Sequence, residues 1–362
     1  MAEKSRKISP AKIILMLALR VIEIALALAV LLVAFLSLTE YRPEDKEPAA
    51  IEGGAAGVLK KGDEIGVVSW NIGYGALGET ADFFMDGGTM VKTADKAGVE
   101  ANMEGIKSAL KDLDPDVIFI QEVDISSARS SRVNEYLMLQ QAFPDMTSSF
   151  AANFRTAFVP YPIPPMGKVD AGIAVFSSFE PSYAERVQLP VPFSWPVRAV
   201  NLKRCLLINR IPVEGGGELV LVNLHLEAYD DGEGKAAQTA MLAEILRSEA
   251  GKGNYVIAGG DFNQIFSSAD GSAYPSLTGE WVPGVIDVES FGEGWQFLMD
   301  DSLPSCRSLS MPYAGADKES FQYYLIDGFI VSENIEVSSL NTVDLGFVFS
   351  DHQPVLLNAV LK

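Results

Sequence analysis

The sequence contains few of the residues on which soft-metal and thiol sites depend. It has two cysteines and two histidines in 362 residues, and Cys205 and Cys306 stand far apart without any Cys-x-x-Cys pair. A zinc site built on cysteine is therefore excluded. The two thiols can form one disulfide or stay free, and the sequence does not decide between these states.

Basic side chains are also scarce. There are 28 Lys and Arg against 48 Asp and Glu, which gives a formal charge of −20, and the short basic start of the chain leaves the remainder still more acidic. Such a surface repels nucleic-acid phosphates unless cations or a basic groove intervene, and no run of Lys or Arg indicates a groove. High-affinity, non-specific binding of DNA is therefore not expected.

One long apolar run follows the basic start. Residues 13–38 are apolar apart from Arg20, Glu23 and Ser37, and a bilayer requires about 20 such residues. We predict an uncleaved signal anchor at 13–38, with residues 1–12 as a cytoplasmic tail because flanking positive charges stay inside. A cleaved signal peptide, whose apolar region is usually shorter, and a buried helix are the alternatives.

The next segment, 39–62, is rich in charge, Pro, Gly and Ala and has no periodic apolar pattern. That composition is typical of a linker, so we expect the folded domain at 63–362, outside the cytoplasm.

The domain alternates short β-branched runs with helical patterns. Strands are predicted at 65–71, 117–122, 171–177, 219–225, 255–261, 324–332 and 354–361, and helices at 99–113, 131–143 and 234–249. Several strands are too close in sequence for a crossover helix, which predicts mixed sheets. We therefore expect an α/β fold of two packed mixed β-sheets flanked by helices.

Polar residues recur at or beside the ends of these strands, where several loops can build one site. They are Asn71, Glu122, His225, Asp261, Asn263, Asp327, Asp351 and His352. A lone histidine is more often structural than catalytic, and GGDFN alone is typical of a turn. The combination of all eight favours a functional site.

Six segments carry a resemblance to a known family. SWNIG (69–73), IQEVD (120–124), NLHLEAY (223–229), GGDFN (259–263), LIDGF (325–329) and SDHQPV (350–355) resemble, in order, the characteristic segments of the endonuclease/exonuclease/phosphatase superfamily. The resemblance implies a DNase I-like four-layer α/β sandwich and hydrolysis of phosphoester bonds, but it does not fix the substrate.

The resemblance also implies a cofactor and roles. Mg²⁺ (or Mn²⁺) would be held by oxygen ligands, with Glu122 as the principal ligand and Asn71 and Asp351 completing the shell for metal and phosphate. Asp261 would orient or deprotonate the water and Asn263 would donate to a phosphate oxygen. Which of Asp261 and His352 is the base stays open.

The two histidines receive separate roles from the same resemblance. Asp327 would hydrogen-bond His352 and fix its tautomer. His225 would donate to the phosphoryl oxygen or protonate the leaving group.

Two positions depart from the nucleases of that superfamily. Asp124 stands where they have an Arg, and the segment 168–170 stands where they have a Tyr, so both changes weaken a nuclease function. Arg155 and Lys168 are candidates for binding the substrate phosphate, although they could equally be solvated loop charges. Arg129 and Arg132 are interpreted as a solvated helix start.

The sequence thus predicts a metal-dependent hydrolase of a phosphodiester or phosphomonoester other than a long nucleic acid. A lipid headgroup is a candidate substrate because anchoring places the site at a membrane. The alternatives are a membrane-tethered endonuclease acting on DNA or RNA and a non-catalytic receptor for a phosphate ligand. No protein partner is evident.

Overall fold

A computed structural model describes residues 9–230 and 232–362, so most of the expected tail 1–12 lies outside the described residues. These residues form four α-helices, which are α1 (Pro10–Leu38), α2 (Lys96–Leu113), α3 (Glu135–Ala142) and α4 (Glu233–Ala250). The three helices after α1 were predicted, but α3 begins later than expected. Its start is set by Asn134, whose side chain accepts a hydrogen bond from the backbone N–H of Leu137.

The same residues form nineteen strands. They are β1 (Lys46–Pro48), β2 (Ile51–Glu52), β3 (Leu59–Lys60), β4 (Glu64–Asn71), β5 (Val117–Asp124), β6 (Thr147–Val159), β7 (Gly167–Ser177), β8 (Tyr183–Gln188), β9 (Cys205–Glu214), β10 (Glu218–His225), β11 (Tyr255–Asp261), β12 (Gln264–Phe266), β13 (Gly284–Ile286), β14 (Trp295–Leu298), β15 (Cys306–Arg307), β16 (Tyr323–Tyr324), β17 (Asp327–Ser332), β18 (Ile335–Thr342) and β19 (Val355–Leu361).

Two large mixed sheets dominate the fold. An eight-stranded sheet has the order β1-β8-β9-β10-β11-β17-β14, with β3 beside β9, and a seven-stranded sheet has the order β18-β19-β4-β5-β7-β6-β2. Parallel pairing occurs at the centre of each sheet, between β10 and β11 and between β4 and β5, while most other pairs are antiparallel. The predicted mixed sheets are confirmed.

Alternation along the strands builds the layers. In β4, Ile65 and Val67 face the other sheet, where they join residues such as Leu221 and Ile257 in the central core. The next residues of β4, such as Val68, face the opposite way and pack with residues of α2 and α3, while α4 covers the outer face of the eight-stranded sheet. The chain therefore folds as the expected four-layer α/β sandwich.

The prediction of a linker at 39–62 is wrong in part. β1 pairs with β8, β2 pairs with β6, and β3 pairs with β9, so the ordered fold begins before Asp63. The side chain of Leu59 is fully buried in the central core. Short edge strands are held by backbone hydrogen bonds and need no alternating apolar pattern, which explains why composition alone indicated a linker.

Helix α1 is long and apolar enough to cross a membrane, although a signal sequence passes the same test. Its apolar side chains are exposed along the whole helix, and only Leu36 is buried. The carboxyl end contacts the loop between β8 and β9, where the indole N–H of Trp195 donates to Ser37 Oγ at 2.9 Å. Just beyond the helix, Arg198 Nε donates to Glu40 Oε1 at 2.9 Å.

Candidate active site

The register of three neighbouring strands aligns three of the predicted site residues. His225 ends β10 and lies opposite Asp261, which ends β11, and Asp261 lies opposite Asp327, the first residue of β17. All three are buried. They continue the alternation that points Leu221, Ile257 and Phe329 into the central core, so they lie between the two sheets at one end of the sandwich.

A tight turn after β11 holds Asp261 in place. Gly260 has φ +148°, and a Cβ there would lie 2.0 Å from the carbonyl oxygen of Leu224, so only glycine permits this close approach. Asp261 Oδ1 accepts a hydrogen bond of 2.9 Å from the backbone N–H of Asn263. Asn263 Nδ2 donates to the Leu226 carbonyl at 2.9 Å, which locks the amide of Asn263 at the cavity wall.

Glu122 reaches the site through a break in β5. The pairing of β5 with β7 shifts register between Ile120 and Val123, and Glu122 has φ +55°, an uncommon conformation for a residue other than glycine. The bulge turns the Glu122 side chain into the cavity, where 23% of it stays exposed. A left-handed glutamate in a strand is strained, and such strain is concentrated at functional sites.

The Asn71 amide lies between the carboxylates of Glu122 and Asp261. Its Nδ2 lies 3.0 Å from Asp261 Oδ2 and 3.4 Å from Glu122 Oε1, and its Oδ1 accepts from the backbone N–H of Gly73 at 3.0 Å. The amide therefore presents N–H groups to the carboxylates. This orientation supports a role in positioning the acidic residues, whereas the predicted role as a metal ligand would need its oxygen to face the cavity.

Each histidine lies beside a different aspartate. His352 Nδ1 is 2.8 Å from Asp327 Oδ2, and His225 Nε2 is 3.3 Å from Asp261 Oδ2. His225 Nδ1 has no hydrogen-bond partner among residues 9–230 and 232–362. Residues 349–354 form no regular strand, so that both Asp351 and His352 line the cavity although they are neighbours.

The environment separates the pKa values of these groups. Burial, reinforced by the charge of Asp327, raises the pKa of Asp261 to about 7. Burial and the nearby Arg204 hold the pKa of His225 well below its ordinary value. Burial also acts to lower the pKa of His352, but the Asp327 carboxylate outweighs it and holds that pKa well above the ordinary value.

Arg129 is the principal site residue that the sequence did not predict. The prediction of a solvated charge is wrong, because Arg129 is buried and its Nε and Nη2 donate to the two carboxylate oxygens of Asp124 at 3.2 and 2.9 Å. Its guanidinium lies 3.8 Å from the centre of the Tyr74 ring, and Nη1 lies 3.6 Å from Glu122 Oε2. Asp124 stands where the nucleases of the superfamily have an Arg, yet it holds the guanidinium of Arg129 at the cavity.

Arg155 and Lys168, the predicted substrate-binding cations, do not line the cavity. Arg155 Nε donates to Asp170 at 2.8 Å, and its guanidinium lies over the ring of Tyr41. Lys168 is exposed, as is Arg132. The prediction fails for Arg155 and Lys168 because the hairpin of β6 and β7 turns both side chains to another surface. The cavity wall instead contains three arginines, Arg129, Arg204 and Arg307.

The cavity has a volume of about 930 Å³ and a lining of two kinds. Its base is formed by the site residues, including Glu122, His225, Asp261, Asp351 and His352. A second set of lining residues is apolar, is here called the apolar arm, and comprises Phe84, Phe154, Tyr161, Met166, Phe193 and Val197. Both cysteines are buried and unbonded, and Cys306 lies at the polar base.

The polar base fits a hard divalent cation. Burial raises the pKa of Asp351, and the neighbouring Glu122 carboxylate raises it further. Burial and the charge of Asp351 likewise raise the pKa of Asp86 to about 6. Such mutual repulsion between carboxylates that face one cavity is relieved when a cation binds. Oxygen donors suit Mg²⁺ or Mn²⁺. Two groups of side chains also converge closely enough to hold an ion. One is Cys306, Asp351 and His352, and the other is Asp261, Asp327 and His352.

The fold is a four-layer α/β sandwich with an acidic, histidine-containing cavity, and comparison assigns the family. A model described as Endonuclease/Exonuclease/phosphatase family matches residues 68–352, so the chain belongs to that family. Members are generally hydrolytic enzymes and typically depend on divalent metals. No curated protein matches the sequence.

Solved structures agree on the fold at low sequence identity. An endonuclease/exonuclease/phosphatase from Beutenbergia cavernae is 16% identical with a TM-score of 0.56, covering 82% of this chain and 72% of that one. A second from Bacteroides vulgatus is 15% identical with a TM-score of 0.53, covering 83% and 100%. The human Nocturnin catalytic domain is 15% identical with a TM-score of 0.51, covering 87% and 98%.

Proposed function

We propose that this chain is an Mg²⁺- or Mn²⁺-dependent hydrolase of phosphoester bonds, anchored in a membrane by α1 with its site outside the cytoplasm. The observation that carries the proposal is the convergence of two histidine–aspartate pairs with Glu122 and Asp351 at one cavity base. Hydrolysis of a phosphoester requires neutralised phosphoryl oxygens, a water in line with the leaving group and a proton acceptor.

The residues divide this work. Glu122 and Asp351 would hold the metal, which supplies charge neutralisation and water activation when bound. Arg129 donates to a phosphate oxygen from a guanidinium already fixed by Asp124. His225 donates to the phosphoryl oxygen or to the leaving group through its ring N–H.

Two groups are placed to accept the proton of the water. Asp261 Oδ2 lies 3.3 Å from His225 Nε2 and 3.8 Å from His352 Nε2, so this carboxylate stands between the two rings. His352 Nε2 faces the same space while Asp327 holds Nδ1. Because a carboxyl with a pKa of about 7 is suited to accept a proton at neutral pH, we assign Asp261 as the acceptor and Asp327 as the residue that orients His352.

The charge of the chain favours a small substrate over a long nucleic acid. The formal charge is −20, and the three arginines of the cavity stand beside six acidic residues, among them Asp86, Glu122 and Asp351. A polyanion would meet repulsion along its length outside the cavity.

Turnover by the full-length protein in detergent tests the proposal. We expect release of nitrophenol from bis(p-nitrophenyl) phosphate or p-nitrophenyl phosphate in Mg²⁺ or Mn²⁺, loss of that activity in EDTA, and weaker cleavage of plasmid DNA and RNA. Predominant cleavage of DNA would favour a tethered endonuclease. Binding of phosphate without turnover of any substrate would favour a receptor.

The anchor has its own test. We expect the full-length protein in the membrane fraction with an intact amino terminus, and with the domain cut by protease added outside intact cells. Since the chain contains no Asn-x-Ser/Thr sequence, glycosylation cannot report the orientation. A mature amino terminus just after Leu38 would identify a cleaved signal peptide instead.

A further inference from the structure

The cavity is amphipathic, and its polar and apolar lining residues suit different parts of one substrate. Charged groups that suit a phosphate occupy the base, whereas the apolar arm offers side chains such as Phe154 and Met166 that are already largely buried in a small cluster of their own. Water in such an arm is readily displaced by hydrocarbon, since burying each CH₂ group contributes about 0.8 kcal/mol. A ligand that fills the whole cavity therefore carries both a phosphate and a hydrocarbon chain.

The mouth of the arm is exposed and apolar. Tyr161 and Val197 line the cavity, yet they are 67% and 54% exposed, so they mark its opening. Ile163 is 94% exposed and Trp195 is 57% exposed, each two residues from one of these positions. Trp and Tyr are the side chains that concentrate at the boundary between water and lipid.

The end of α1 lies at this same mouth. Trp195 Nε1 donates to Ser37 Oγ at the carboxyl end of the helix, and Arg198 Nε donates to Glu40 Oε1. The loop that contacts the helix is the loop that places Phe193 and Val197 in the apolar arm. A helix of 29 residues is about 43 Å long, enough to cross the roughly 30 Å hydrocarbon core. A helix that crosses the membrane would hold the mouth at the membrane surface.

We propose that the substrate is a lipid phosphoester of the membrane itself, whose hydrocarbon chain occupies the apolar arm while its phosphate binds at the base. The proposal rests on the proposed function. In the reaction a water oxygen forms a bond to phosphorus, the P–O bond to the leaving alcohol breaks, one proton of the water passes to the acceptor in the site, and the leaving oxygen gains a proton.

A series of p-nitrophenyl alkyl phosphates with butyl, octyl and dodecyl chains tests this proposal on the full-length protein in lipid nanodiscs. Each ester releases nitrophenol by the same chemistry, so only the chain changes. We expect kcat/KM to rise at least tenfold from butyl to octyl and then to level off when the arm is filled. That rise is well within the roughly fourfold gain for each buried CH₂ group.

Partition of long chains into the nanodisc could raise turnover without any role for the arm, and two variants separate these effects. Val197→Glu places a charge in the arm at an exposed position and should flatten the rise. Leu137→Glu, a matched change at an exposed site on α3, should retain the wild-type profile.

A wild-type profile that is flat while the butyl ester is hydrolysed would overturn the lipid proposal and leave the phosphoester function standing. An equal rise in the wild type and in Val197→Glu would also overturn it. Failure to hydrolyse any of the esters would remove both proposals together.

Discussion

His352 Nδ1 lies 2.8 Å from Asp327 Oδ2 across 25 residues of sequence. Asp327 is fixed at the first position of β17, where its backbone N–H donates to Ser305 Oγ at 3.1 Å. His352 stands in the irregular segment before β19, and the indole of Trp70 donates to its carbonyl oxygen at 2.9 Å. The backbones of Asp327 and His352 are therefore fixed by separate contacts, and the hydrogen bond to the Asp327 carboxylate sets the orientation of the His352 ring.

Asp327→Asn is the first test of that pair. An amide cannot stabilise the imidazolium, and its N–H would favour the wrong tautomer, so we expect kcat to fall about 100- to 10,000-fold. His352→Ala should cost at least as much. The double variant should be little worse than the more damaging single variant, because residues that act as a unit are non-additive. Fully multiplicative losses would show that the two residues act independently.

Removing the carboxylate of Glu122 tests the metal site. Glu122→Gln should abolish metal-dependent turnover and should remove most of the Mg²⁺ or Mn²⁺ binding seen by calorimetry, since an amide lacks the charge that attracts a hard cation. The fold should persist, because the change leaves the left-handed backbone conformation of residue 122 as it is. Glu280→Gln removes the same charge from the wall of the same cavity and should bind metal as the wild type does. Unchanged metal binding in Glu122→Gln would remove Glu122 from the site.

Arg129 can be tested against its neighbour in sequence. Arg129→Lys keeps the charge but loses the bidentate contact with Asp124 and the planar contact with Tyr74. If the guanidinium stabilises the transition state, kcat/KM should fall about 100-fold or more. Arg132→Lys, at an exposed position three residues away, should retain activity. Equal kinetics for both variants would limit Arg129 to a structural role.

The sequence predicted the parts of the site that depend on strand periodicity. His225, Asp261 and Asp327 stand at the termini of buried strands, and alternation with register is sufficient to bring them to one end of the sandwich. The two mixed sheets were also predictable, because several strands are too close in sequence for a crossover helix.

The remaining parts depend on contacts that no local pattern encodes. Glu122 enters the cavity through a bulge, and Arg129 does so by packing on Tyr74, which is distant in sequence. Strand β6 escaped prediction because its Ser, Thr and Asn residues hide the apolar alternation, although all of them are buried. The apolar arm likewise unites segments far apart in sequence, so it was visible only in the folded chain.

The last prediction concerns stability and lies outside the site. Glu249, near the end of α4, accepts hydrogen bonds from Arg210 Nη1 and Nη2 at 2.9 and 2.8 Å and from Asn254 Nδ2 at 3.0 Å. The hydrogen bonds from Arg210, acting against burial, lower the pKa of Glu249 from 4.5 to about 2. These contacts tie α4 to β9, so the ionised carboxylate stabilises the folded state.

Because the folded-state pKa is lower than the ordinary value, this stabilisation is complete above about pH 4.5 and is lost as the pH falls towards 2. Glu249→Gln should therefore lower the free energy of unfolding by about 1.5–3 kcal/mol at pH 7, and the difference from the wild type should shrink between pH 4.5 and 3. Urea unfolding of the two proteins at matched pH values measures it, with Glu244→Gln on the same helix as the control. A difference that stays constant over this range would show that the charge of Glu249 does not contribute.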